Sequence, residues 1–177
     1  DANVGALAEH VAGDHGADPL MYVTISTGIG CGVVINGRVL HGANAGAGEL
    51  GHIRIADDER VCSCGRAGCL ERLCSGYWLE QDHGRPAQDL LANDAFLADY
   101  ARTLAQGFAT AVFLYNPAVI VLGGGVAQTG DRLIAALQAA LTDELGSWAY
   151  LAPKVAVTTM GASGVHWGAG ELARGLL

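Results

Sequence analysis

The chain has 177 residues, 51% of them hydrophobic and 16% charged, with a net charge of −8. That is enough apolar material for one packed domain and excludes a disordered segment, and an acidic chain without a basic run is not expected to contact nucleic acid. No uninterrupted apolar stretch reaches the roughly 20 residues of a membrane helix, so no membrane contact is expected.

In chain order, Val4, Leu7, Ala8 and Val11 recur at helical spacing, and Asp1 stands where an N-cap would. Residues 13–18 end that helix, and Leu20–Ile25 reads as a buried strand rich in β-branched and aromatic residues. A hydroxyl- and glycine-rich turn, STGIGCG, is expected over residues 26–32, with a strand resuming at Val33 and the hairpin signal Asn36-Gly37 leading to Arg38, Val39 and Leu40. The turn therefore joins two strands and opens no helix, which argues against a Walker A loop or a Rossmann fingerprint. A small-residue loop, HGANAGAG, follows at 41–48.

Short helices are expected from Leu70 and after a Ser75 cap, the second carrying Tyr77, Trp78 and Leu79, with a break over 82–86. Asn93 caps a long helix over Asp94–Tyr115, with a wide apolar face of Phe96, Leu97, Tyr100, Leu104, Phe108, Ala111, Val112 and Tyr115, stopped by Asn116-Pro117. Residues 118–122 read as a buried parallel strand, and Gly123-Gly124-Gly125 turns the chain into a helix over 132–145. A strand over 155–158 and a helix over 165–177, with Ala169, Leu172, Ala173 and Leu176 on one side, complete the order. Alternating strands and helices imply right-handed βαβ crossovers in one α/β unit, residues 1–177, without repeats or linkers.

The densest chemistry lies in residues 48–71, GELGHIRIADDERVCSCGRAGCLE. His52, Cys62, Cys64 and Cys69 form H-x9-C-x-C-x4-C, a donor set that suits a closed tetrahedral zinc site, and Gly65 and Gly68 let the loop turn back on itself. Zinc is favoured over free thiols or disulfides, and such a cluster points to a reducing cytoplasm. Cys31 and Cys74 read as small core residues. Glu49 and Glu71 flank the metal ligands, so an ion would pre-position their carboxylates for sugar hydroxyls or for general-base work; isolated glutamates are by default merely solvated. On spacing alone, the 123–125 turn is equally a tight connection or a site of close ligand approach beside a helix N-terminus. The Thr27-Gly28 turn is a hairpin turn by default or a phosphate cradle.

In combination, these segments resemble the ROK group (repressors, open reading frames and kinases). CSCGRAGCLE is similar to its CxCGxxGCxE signature, preceded by an AGELGH element; DANVGALAE resembles the segment with the catalytic aspartate, and VLGGGV the adenosine-side glycine turn. The resemblance implies an actin/hexokinase-like (ribonuclease H-like) α/β fold whose two lobes close around ATP and a hexose. It implies Asp1 as the proton acceptor from the sugar hydroxyl and Glu49, His52 and Glu71 as sugar contacts, with His52 also a ligand of a structural zinc. It also implies Thr27 and Gly28 beside the ATP phosphates, Gly124 beside the adenosine, and magnesium with the nucleotide.

The chain departs from the family where its DxGGT-like phosphate loop should stand and where an asparagine should precede the catalytic aspartate. Its turn reads STGIGCG rather than GTGIGGG. The expectation is the C-terminal, zinc-containing part (loop 52–69) of an ATP-dependent kinase for glucose or an N-acyl hexosamine, acting at O6. The N-terminal lobe would be missing, the fragment alone inactive, and the full-length protein a homo-oligomer, a dimer. The alternative is the effector-binding domain of a sugar-responsive repressor of the same family; a zinc-stabilised fold without a ligand is a third reading.

Overall fold

The structure, a computed structural model, describes residues 1–161 and 168–170. Helix α1 (Ala2–Val11) leads to β1 (Leu20–Ile25), β2 (Ile29–Ile35) and β3 (Arg38–Val39). After a long loop come α2 (Leu70–Cys74), α3 (Gly76–His83), α4 (Ala87–Leu91) and α5 (Asp94–Tyr115), then β4 (Val119–Gly123), α6 (Asp131–Glu144) and β5 (Lys154–Val157). The strands form one sheet in the order β3-β2-β1-β4-β5. β1 runs antiparallel to β2 and parallel to β4, which is parallel to β5.

Strand alternation sends successive side chains to opposite faces. Met21, Val23, Ile25, Ile120 and Leu122 meet Leu104 and Phe108 of α5 and Leu133 and Leu137 of α6. Leu20, Tyr22, Val34, Val119 and Val121 pack with Ala6 of α1 on the other side. The mixed α/β arrangement is thus a sheet between α1 and the α5–α6 pair, and β4 is buried along its whole length, as its apolar run predicts.

Several boundaries agree with the sequence patterns. The Asn93 side chain accepts from the Phe96 N–H at 3.0 Å, and α5 ends in the left-handed Asn116. The Asn36-Gly37 turn has both residues at positive φ, and the two Asp18 carboxylate oxygens accept their N–H groups at 2.8 Å each.

Other boundaries differ. β2 begins at Ile29, not Val33: Gly30, Cys31 and Gly32 pair with Thr24, Val23 and Tyr22. Those glycines belong to a strand because α1 lies on it. A Cβ at Gly32 would stand 2.4 Å from the Ala2 carbonyl oxygen, and one at Gly30 3.2 Å from the Ala2 Cβ. Gly5 does the same from the helix side, where a Cβ would meet the Tyr22 ring at 2.6 Å. Gly5, Ala6, Leu7, Ala8 and Glu9 of α1 are buried while Val11 is 54% exposed, so Leu7 and Ala8 dock as the apolar spacing expects and Val11 does not.

Helix α3 continues through Asp82 and ends at the left-handed Gly84, so the expected break starts two residues late, and the short α4 follows it. Ser75 occupies the α3 N-cap position, but its hydroxyl makes no capping bond. A 3₁₀ turn, Val126–Thr129, separates the 123–125 turn from α6, so that turn is not at the N-terminus of a long helix. The expected last helix lies outside the described residues except at 168–170, which are helical. No helix among the described residues is long and apolar enough to cross a membrane.

Candidate functional site

The loop after β3 folds back on itself through two isolated bridges, Arg54 with Cys69 and Val61 with Ala67. Gly65 and Gly68 both adopt positive φ, and a Cβ on Gly68 would stand 2.1 Å from the Ala56 carbonyl oxygen, so both glycines are required by the turn. This brings His52, Cys62, Cys64 and Cys69 together, one donor atom each, all within 4.8 Å of one another. His52 Nδ1 stands 3.7 Å from Cys62 Sγ, and Cys64 Sγ 3.6 Å from Cys69 Sγ. With metal–sulfur bonds of about 2.3 Å, the edge of a tetrahedral site is about 3.8 Å. The donor set and its spacing therefore fit a metal ion. Arg66 bonds draw the exposed Cys64 thiol down to about 6, while burial pushes Cys69 up to about 12.

Glu71 joins this loop to the sheet. One carboxylate oxygen accepts from the Ile29 N–H at 3.0 Å, and the other from the Ser63 hydroxyl at 3.0 Å. A Cβ at Gly28 would lie 2.7 Å from the first oxygen, so the turn between β1 and β2 is shaped to admit this carboxylate.

A series of clefts runs along the C-terminal ends of β1, β4 and β5, where open parallel sheets bind ligands. The first, about 280 Å³, is lined by Asp1, Asn3, Thr24, Gly30, Cys31 and Glu49 among others. Asp1 holds the N-cap position of α1, but its carboxylate makes no bond to the helix and is exposed. The second cleft, about 440 Å³, shares Thr24 and adds Tyr22, Gly124, Gly125 and Thr158. The third, about 300 Å³, shares Gly125 and adds Ser26, Thr27, Tyr77, Glu80 and Gln88. Gly124 has φ +85°, and a Cβ there would lie 2.4 Å from the Ile25 carbonyl oxygen, which makes it the sharp bend over the end of β1. Among the described residues, neither lysine nor arginine lines any of the three clefts.

Of the residues singled out in the sequence, Asp1 and Glu49 share the first cleft, Gly124 lines the second and Thr27 the third. His52 and Glu71 line none of these; they stand together at the cysteine loop, behind Gly28. Sequence reasoning missed the clamp on this loop. Arg72, only 7% exposed, makes a two-pronged bond to Asp82 at 2.8 Å and 2.8 Å and stacks on Trp78 at 4.2 Å. Arg60 reaches the same carboxylate at 2.9 Å, and the Arg72 bonds above all hold Asp82 below the usual carboxylate range. The partners lie on separate helices and a loop, and no spacing rule links them.

A statistical model of the ROK family matches residues 1–175. The glucokinase of Halalkalibacterium halodurans is 37% identical over 76% of this chain and 50% of that protein. The xylose repressor of Caldicellulosiruptor bescii is 27% identical over 78% of this chain and 42% of its own length. The crystal structure of a ROK hexokinase from Thermus thermophilus is 38% identical, with a TM-score of 0.83 over 95% of this chain and 61% of that one. The chain spans about half the length of the curated relatives it matches.

Proposed function

The chain belongs to the ROK family, and from that premise we propose that it is the sugar-binding, metal-holding part of an ATP-dependent hexose kinase. One observation carries the reading: Asp1 and Glu49 line a single cleft, and Thr24, which lines it too, also lines the cleft at the Gly124 turn. In this reading two substrates meet at the sheet edge beside the Asp1 carboxylate, which makes no capping bond to α1.

In this reading a hexose, glucose or an N-acyl hexosamine, occupies the first cleft, with Glu49 accepting hydrogen bonds from its hydroxyls. Glu71 and His52, the other sugar contacts that the family resemblance implies, stand outside this cleft at the cysteine loop, and their role toward the sugar is part of the proposal. The Asp1 carboxylate takes the proton of the attacking hydroxyl, O6 in this reading, as that hydroxyl oxygen bonds to the γ-phosphorus. The bond from that phosphorus to the β–γ bridging oxygen breaks, and ADP leaves. The backbone at Thr27, Gly28 and Gly124 lies along the nucleotide. Because no lysine or arginine among the described residues lines these clefts, neutralisation of the triphosphate would fall to magnesium and to groups contributed by a first lobe. His52, Cys62, Cys64 and Cys69 would hold zinc, which supplies rigidity and no chemistry of its own. The working protein is proposed to be a cytoplasmic two-lobed homodimer.

The similarity to a xylose repressor favours a second reading, the effector-binding part of a sugar-responsive regulator. Both are tested by a panel of hexoses with ATP and magnesium, using a polypeptide extended upstream of Asp1, as wild type and Asp1→Asn. The kinase reading expects a phosphorylated sugar from wild type, at least about 10²-fold less from Asp1→Asn, and sugar affinity altered by less than a few fold. Sugar binding without phosphorylation of any hexose would favour the regulator. Unchanged turnover in Asp1→Asn would remove Asp1 from the mechanism.

A further inference from the structure

Glu9 lies on α1, is 1% exposed, and has no role in the chemistry described so far. Its carboxylate accepts from the Thr158 hydroxyl, from the Thr159 hydroxyl at 3.3 Å and from the Met160 N–H at 3.5 Å. His15 Nε2, 4% exposed on its side chain, faces it at 2.9 Å. Gly13 leaves the room: a Cβ there would stand 2.7 Å from Glu9 Oε2. Among the described residues no lysine or arginine pairs with Glu9, so a buried carboxylate is held by hydroxyls and an N–H from one distant stretch and by one imidazole from the loop just after α1. Burying a carboxylate is costly unless such donors are in place.

The stretch it grips enters a cleft wall at Thr158 and, just beyond it, at Gly161. Thr158 lines the cleft with Gly124 and Gly125, and its N–H donates to the Leu122 carbonyl of β4 at 2.8 Å. Thr158 is therefore fixed by its backbone to the strand that ends in the glycine turn, and by its side chain to the helix that begins at Asp1. Asp1 and Glu9 are eight residues apart, about 12 Å along a rigid helix.

We propose that Glu9 is a positioning residue that holds the 158–160 segment as the wall of the glycine-turn cleft, and so sets affinity for the nucleotide phosphoryl donor independently of affinity for the sugar. This rests on the kinase reading. The sugar-side cleft is lined by neither Glu9 nor residues 158–160, which is why the two affinities should separate.

The test is direct binding of magnesium with a non-hydrolysable ATP analogue, and separately of the hexose found to be the substrate, to the full-length polypeptide carrying this chain. Glu9→Ala should weaken nucleotide binding about tenfold or more and leave sugar affinity within about twofold. Glu9→Gln, which keeps an acceptor oxygen, should recover most of the loss. A merely structural Glu9 would lower the melting temperature and leave the two affinities in their wild-type ratio, which overturns the proposal. If Glu9→Ala does not fold, Thr159→Val removes one donor from the other side and must show a smaller loss in the same direction; an unchanged ratio there also overturns it. A wild-type protein that binds no nucleotide fails the kinase reading and takes this inference with it. A wild type that binds, with Glu9→Ala binding equally well, fails this inference alone.

Discussion

The Glu71 carboxylate accepts the Ile29 backbone N–H at 3.0 Å across 42 positions of sequence. One residue thereby ties the cysteine loop to the first residue of β2, beside the turn that carries Thr27 and Gly28. Removing it should do two things. Glu71→Ala leaves a buried N–H without a partner, at a cost of about 1–3 kcal/mol, and it should also weaken sugar binding. Glu71→Gln keeps an acceptor and should recover the stability more fully than the affinity. Denaturant unfolding beside sugar titration separates the two; an alanine variant with both unchanged would show that this bond matters to neither.

The position of Asp1 depends on how closely α1 lies on β2. Gly32→Ala would push a methyl group against the Ala2 backbone, where the contact distance is 2.4 Å. Overpacking of this kind costs about 1–3 kcal/mol, and displacement of a catalytic group by about 1 Å can cost about 10²-fold in rate. Gly46→Ala is the control, since a Cβ there meets nothing within 4 Å; its unfolding midpoint should stay at the wild-type value. Equal stability and turnover in Gly32→Ala would mean that helix and strand are not in the close contact described.

For the cysteine loop, elemental analysis should find about one zinc per chain. Because metal binding to such a loop is coupled to its folding, a chelator should lower the melting temperature by about 10 °C or more. Cys69→Ser should already be lowered and respond little further to chelator. A protein that folds equally well without metal would remove zinc from the design.

Much of this was legible in the sequence because its signals are local. The face of α5, the β-branched and aromatic run of β1, the buried run of β4 and the Asn36-Gly37 turn each depend on neighbours within a few positions. The metal-type cluster was legible for the same reason: its four ligands span 18 residues of one loop, and Gly65 and Gly68 sit where that loop must reverse. The carboxylates beside it were legible as candidates, but not their geometry. Glu49 faces the cleft with Asp1, whereas Glu71 turns to Ile29 and Ser63.

By itself, the sequence determined most of the elements (α4 and the 3₁₀ turn Val126–Thr129 excepted), the donor set and the family, since residue type and short spacing carry that information. Only the tertiary structure decided that Gly30 and Gly32 are strand residues cleared for a helix, that Arg72 clamps Asp82, and that Glu9 grips Thr158 from 149 positions away. Each of these is a contact between elements with independent periodicities. Such contacts are set by how the α1 and α2 helices dock on the sheet, and docking depends on packed shape rather than on spacing along the chain.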